Sequence, residues 1–132
     1  GIAIGLGYGE SARAALVARG FSELRRFGEA FGAQSETLMG LSGLGDVVLS
    51  CASAQSRNFA YGLALGQGST PAEAAGGKLA EGAFTAAILA EMARARGIET
   101  PIAEAVAAII AGKIGVREAV AGLLARPIRS EN

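Results

Sequence analysis

The chain has 132 residues, with 12 Lys and Arg balanced by 12 Asp and Glu, and is 51% hydrophobic and 18% charged. That length fits one domain with its own core, and the charge balance argues against a nucleic-acid grip, which needs a clustered positive face. With no histidine and one cysteine, Cys51, imidazole catalysis, His-containing zinc sites and an internal disulfide are excluded, and a reducing, cytoplasmic setting is expected.

There are 20 glycines and 29 alanines against 5 Phe and 2 Tyr. Ala is the strongest helix former and small side chains let helices approach, so closely packed helices are expected. The opening Ile2 to Leu6 is apolar but broken by Gly5, and no basic run precedes it, which argues against a leader peptide. The chain starts on Gly1 and reads as part of something longer. No run approaches the roughly 18 apolar residues a membrane span needs.

From Ser11 to Phe31, Val17, Phe21, Leu24, Phe27 and Phe31 recur at helical spacing, and Gly32 is placed to end that helix in a left-handed cap. Val47, Val48 and Leu49 could extend a short strand, yet Leu41, Leu44 and Val48 also fit a helix. Ser56 is suited to cap a helix running to Leu65. Thr70-Pro71 and Thr100-Pro101 each set a capping hydroxyl before a proline at the first helical position. Phe84, Ile88, Met92 and Ala95 mark a helix from about Gly82 to Arg96, stopped by Gly97. Ile102, Val106, Ile109 and Ile110 form the next stripe, then Val116, Val120, Leu123 and Leu124, with Pro127 ending the last helix. These stripes are expected to form the core of an all-α bundle.

Four segments bear chemistry. Gly7-Tyr8-Gly9-Glu10-Ser11-Ala12 satisfies the Gly-x-Gly-x-x-Ala turn of dinucleotide folds, but no strand feeds it, so a glycine-rich corner between helices is the better reading. Asp46, the sole aspartate, lies in the otherwise uncharged stretch 37–55. A carboxylate there is costly to desolvate unless a cation or donor meets it, and Ser50 would share its helix face. Capping a helix, or facing water, is the alternative. Ser56-Arg57-Asn58 gathers a hydroxyl, a guanidinium fork, an amide and free helix-start N–H groups, which suits a phosphate monoester. An ordinary capped helix explains the same residues. Glu81, after Lys78-Leu79-Ala80, fits a helix start. Cys51 reads as an apolar filler.

In order, these elements resemble the C-terminal, substrate-binding domain of bacterial NAD(P)-dependent glycerol-3-phosphate dehydrogenases. The resemblance runs through Gly5-Leu6-Gly7-Tyr8-Gly9, Ala12 to Gly20, Glu36 to Asp46, Ser56-Arg57-Asn58, Gly62 to Gly68, Ala80-Glu81-Gly82, Thr100 to Glu104 and Arg126 to Glu131. It implies an all-α bundle of the 6-phosphogluconate dehydrogenase C-terminal-like type over 1–132, with the dinucleotide-binding half outside this chain. It implies that dihydroxyacetone phosphate is interconverted with sn-glycerol 3-phosphate, using NADH or NADPH, for glycerophospholipid synthesis in the cytoplasm by a homodimer. By the same resemblance, Asp46 and Ser50 support a catalytic lysine, Asp46, Ser56, Arg57 and Asn58 bind substrate, and Arg57, Leu79 and Glu81 meet the cofactor. No metal, nucleic acid or membrane span is implied.

The sequence also departs from the family pattern. The family's lysine falls ahead of Gly1, and Lys78 and Lys113 occupy other positions, so the chain by itself is expected to be inactive. Phe59-Ala60 replaces a frequent arginine pair, which leaves the choice between NADH and NADPH open, and Leu79-Ala80 replaces two valines. Two other readings compete with this one. A helical substrate domain of a related hydroxy-acid dehydrogenase would not need Arg57 as a phosphate anchor. A non-enzymatic helical interaction module would bind its partner regardless of Asp46 and Arg57.

Overall fold

A computed structural model describes residues 1–77 and 81–127, with the side chains of residues 81–83 outside that description. Among the described residues the regular elements are all helical, as the composition implies, and Val47 to Leu49 belong to a helix.

The first short helix, α1 (Ile2–Gly5), crosses α5 (Arg57–Gly66) at two glycine pairs. A Cβ on Gly5 would run into the Leu63 carbonyl, and one on Gly66 into the Ile2 carbonyl. Only bare backbone permits so close a crossing. The apparent nucleotide turn is therefore a helix corner: Gly7 takes φ +97°, and extended Gly9 leads into α2 (Glu10–Ala30).

At 21 residues, α2 is the spine, roughly 30 Å long at 1.5 Å per residue. It ends as its sequence predicts. Gly32 is left-handed at φ +91°, and the Ala33 N–H closes on the Gly28 carbonyl at 2.8 Å. After α3 (Ser35–Leu38), a π-helical turn over Leu41–Gly45 runs directly into α4 (Asp46–Ser50). Buried Gly43 sits against the Leu38 carbonyl, where a side chain would overlap it.

The helix α6 (Pro71–Ala75) opens on the predicted cap. Thr70 Oγ1 accepts from the Glu73 N–H, and Glu73 Oε1 accepts from the Thr70 N–H, both at 3.2 Å. Then come α7 (Glu81–Ala95), α8 (Pro101–Ile110) and α9 (Val116–Ala125). Leu65, Ile109 and Ala119 form the central cluster, with Ile2, Tyr61 and Val116 packed around it, so the core lies where α5, α8 and α9 meet.

Two sequence expectations need correction. Phe84, Ile88, Met92 and Ala95 do not face the core: Phe84 is 64% exposed and Ile88 59%. The buried face of α7 is Ala90 and Ala93, at 3% and 0%. These small side chains let α8 pack close against α7, and the larger ones are turned outward. Thr100, for its part, makes no side-chain cap on α8. Its hydroxyl is fully buried without a hydrogen-bond partner, and the cap comes from α2 instead. Glu23 accepts from the Ile102 N–H at 2.7 Å and from the Ala103 N–H at 3.3 Å.

That carboxylate is one of several charged ties radiating from α2. Arg13 donates to the Cys51 and Ala52 carbonyls just past α4, at 3.0 and 3.1 Å. Arg19 donates to the Leu123 and Arg126 carbonyls at the end of α9, at 3.0 and 2.8 Å. Arg26 reaches the Glu99 carbonyl ahead of α8 at 3.2 Å. Glu23 meets a helix start and Arg13 and Arg19 meet helix ends, the arrangement that the helix dipole favours, while Arg26 ties down the connection before α8.

Candidate functional site

The site is built on the segment running from α4 into α5. Asp46 opens α4 and Ser50 closes it one helical turn later, so the two share a face. Asp46 is exposed and Ser50 half-buried. The desolvation cost expected for a carboxylate in this apolar stretch therefore does not arise, and the carboxylate is available to meet a cation brought to it.

The connection is turned locally. The Cys51 N–H closes on the Val47 carbonyl at 3.0 Å and the Ala52 N–H on the Leu49 carbonyl at 3.2 Å. Ser53 Oγ accepts from the Gln55 N–H at 3.0 Å, a side-chain turn typical of serine. Ser56, in extended conformation, then caps α5 by accepting the Phe59 N–H at 3.4 Å, as its sequence position predicts. Arg57 and Asn58 are the first two residues of α5, and both are exposed. Their N–H groups precede the helix's own hydrogen-bond ladder and stand at its positive end.

Arg13 joins these pieces in space. Its guanidinium donates to the carbonyls of Cys51 and Ala52. The guanidinium carbon also lies 5.5 Å from the centre of the Phe59 ring, and Nε pairs with Glu10 at 3.3 Å. Phe59 is buried, at 8% exposure, and holds the first turn of α5 against the body. Cys51 is half-buried, and its carbonyl has the larger structural part.

A groove of about 1100 Å³ runs along α2, with a floor that includes Val17, Phe21, Leu44, Val48, Ile102 and Leu123. Arg13, Cys51 and Ala52 are also among its lining. Asp46, Ser50, Ser56, Arg57 and Asn58 lie outside its lining, so the predicted polar site and the apolar groove are separate features that meet at Arg13. Leu79 lies outside the described residues, and Glu81 opens α7 with its side chain outside the description. Sequence reasoning missed Arg13 and Glu23 as organising residues. The signal for them was weak: each is one of seven charged residues on α2, and nothing local sets it apart from the others.

Fold and site together define an all-helical domain that presents a lone carboxylate at one helix start and a hydroxyl, guanidinium and amide at the next. The family model described as "NAD-dependent glycerol-3-phosphate dehydrogenase C-terminus" matches residues 1–121. Glycerol-3-phosphate dehydrogenase [NAD(P)+] of Methylobacterium radiotolerans is 67% identical over 131 residues, which is 99% of this chain and 40% of that protein. The same enzyme of Mesorhizobium japonicum is 60% identical, over 99% of this chain and 37% of its own length. The crystal structure of glycerol-3-phosphate dehydrogenase from Coxiella burnetii superposes with a TM-score of 0.91 at 42% identity, covering 95% of this chain and 39% of that one. The chain belongs to the NAD-dependent glycerol-3-phosphate dehydrogenase family and corresponds to its C-terminal part. It spans about 40% of the length of the curated relatives it matches.

Proposed function

We propose that this chain is the substrate-binding part of an enzyme that interconverts dihydroxyacetone phosphate and sn-glycerol 3-phosphate. The observation that carries this reading is the Ser56-capped start of α5, where an exposed guanidinium and an exposed amide side chain stand at the positive end of the helix. Such a start favours a phosphate dianion through charge-assisted hydrogen bonds and the helix dipole. The relatives' names supply the reaction.

In this reading Ser56, Arg57 and Asn58 hold the phosphate and so fix the three-carbon chain. Asp46, with Ser50 on the same face, orients and charge-stabilises the lysine that the family resemblance places ahead of Gly1. That lysine polarises the carbonyl and handles its proton. NADH or NADPH, when bound, supplies the hydride. Arg57 fits such a cofactor chemically, being an exposed guanidinium at a positive helix start, the donor set that a nucleotide phosphate requires. Leu79 and Glu81 are the other residues assigned to it. We place the reaction in the cytoplasm, supplying glycerophospholipid synthesis, with the chain packed against its own dinucleotide-binding half in a homodimer. Among the described residues no helix is long and apolar enough to cross a membrane, which is compatible with that setting.

The test is a kinetic comparison in the whole protein that carries this chain. Arg57→Ala is expected to raise KM for dihydroxyacetone phosphate about 10- to 100-fold, the size of one or two charge-assisted hydrogen bonds. Titration with sn-glycerol 3-phosphate and with glycerol should show binding of the phosphorylated ligand only. Equal binding of both, or an Arg57→Ala protein with unaltered KM, would remove phosphate recognition from α5.

A further inference from the structure

We infer that Arg13 is a positioning residue for the Ser56–Asn58 phosphate cradle. The inference rests on the reading of that segment as the substrate's phosphate site. Residues 51–56 lie between two helices and carry little apolar anchorage of their own: residues 52–55 are all exposed. Arg13 grips the near end of this connection through two carbonyls, Cys51 and Ala52, at 3.0 and 3.1 Å. The same guanidinium lies against the ring of Phe59, one residue beyond the cradle, at 5.5 Å. One planar cation on the long, rigid α2 thus holds the chain on both sides of Ser56-Arg57-Asn58. Glu10, one turn back on α2, steadies it with the 3.3 Å pair to Nε.

The geometry gives Arg13 two separable duties. Its donors satisfy carbonyls past the end of α4, and its face supports the ring that seats the first turn of α5. Together they set the direction in which the Arg57 guanidinium and the Asn58 amide are offered, without contact with the ligand. Pre-ordering of this kind reduces the entropy that binding would otherwise spend on fixing the connection. Both carbonyls are met by one nitrogen, Nη1, so lysine can replace the charge and those donors, but not the flat guanidinium face that lies against the Phe59 ring.

The experiment compares Arg13→Gln and Arg13→Lys with the parent in the whole protein, by amide hydrogen exchange and by steady-state kinetics. In Arg13→Gln, exchange at the hydrogen-bonded amides within residues 53–59 (Gln55, Ser56 and Phe59) should speed up about tenfold, the effect of losing one charge-assisted hydrogen bond, while amides of α8 and α9 keep their parental rates. KM for dihydroxyacetone phosphate should rise by a similar factor and more than kcat falls. Arg13→Lys should recover part of both effects. Unchanged exchange at 53–59 would overturn the inference, as would faster exchange spread evenly over the whole chain, which marks a general stability role. Faster local exchange with no change in KM would also overturn it. A protein that does not reduce dihydroxyacetone phosphate, yet shows the local exchange effect, would instead remove the functional reading on which the inference rests.

Discussion

Glu23 shows how one side chain can be costly and necessary at once. It is 7% exposed, and burial pushes its carboxyl up from the ordinary 4.5, while the Ile102 and Ala103 amides and Arg26 pull it partly back. A raised carboxyl pKa means that the folded chain holds the proton more tightly than the unfolded chain does. Its contribution to stability is therefore fully present below 4.5 and is lost as pH rises through the folded value. Glu73 has the opposite sign. The Thr70 hydroxyl and N–H hold its carboxyl below the usual range, so its contribution is present above 4.5 and is lost as pH falls through the lowered value. Urea midpoints followed from acid to neutral pH should separate the two. Glu23→Gln, which keeps one acceptor and loses the charge, should flatten the decline above 4.5 and leave the acid limb in place. Glu23→Ala should cost about 1–3 kcal/mol at all pH values, because the start of α8 is left with unmet donors beside the already unpartnered Thr100 hydroxyl. An Ala variant as stable as the parent would show that water replaces the carboxylate.

Between helices, the contacts that matter are made by the smallest residues, which produces two opposite outcomes for the same substitution. Gly66→Ala places a methyl group in the Ile2 carbonyl and should destabilise by about 1–3 kcal/mol, overriding Ala's advantage of roughly 1 kcal/mol in helix propensity. At Gly122 in α9, nothing lies within 4 Å of the place an added methyl group would take, so Gly122→Ala should stabilise by about 0.5–1 kcal/mol. Thermal unfolding of the two variants checks both signs at once. The same logic explains what was legible in the sequence. Helix stops at Gly32 and Gly97 and the caps at Ser56 and Thr70 are local, and each is found where residue chemistry puts it. The buried face of α7 was not legible, because apolar periodicity weights Phe84, Ile88 and Met92 above the alanines that make the contact. The Thr100 cap misled because Glu23, 79 residues away from Ile102, takes the role by tertiary packing. For the site, the order Asp46, Ser50, Ser56, Arg57, Asn58 could be read directly. The arginine that ties α4 to α5 is 38 residues from its partner and carries no local signature.

At the scale of the molecule, the outward turn of the large α7 side chains leaves apolar surface without a cover. Phe84, Ile88 and Met92 recur every fourth residue on one face of α7, at 64%, 59% and 41% exposure, and Leu41 and Leu49 stand at 90% and 73% near the predicted site. Neutral net charge adds no long-range repulsion between copies. Contiguous apolar patches on soluble domains mark surfaces that are covered in the complete protein, and this chain spans about 40% of its relatives' length. The chain produced by itself should therefore self-associate in a concentration-dependent way at neutral pH. Ile88→Glu should weaken that association about tenfold or more, since it sets a charge in the middle of the α7 stripe, and it should leave thermal stability within about 0.5 kcal/mol, since Ile88 is exposed and the buried face of α7 is Ala90 and Ala93. Leu49→Glu, made separately, reports on the patch beside Asp46. Light scattering over a dilution series distinguishes the two surfaces: a loss confined to Ile88→Glu assigns association to α7, a loss confined to Leu49→Glu assigns it to α4, and a parent chain that stays monomeric throughout shows that neither exposed apolar face drives association.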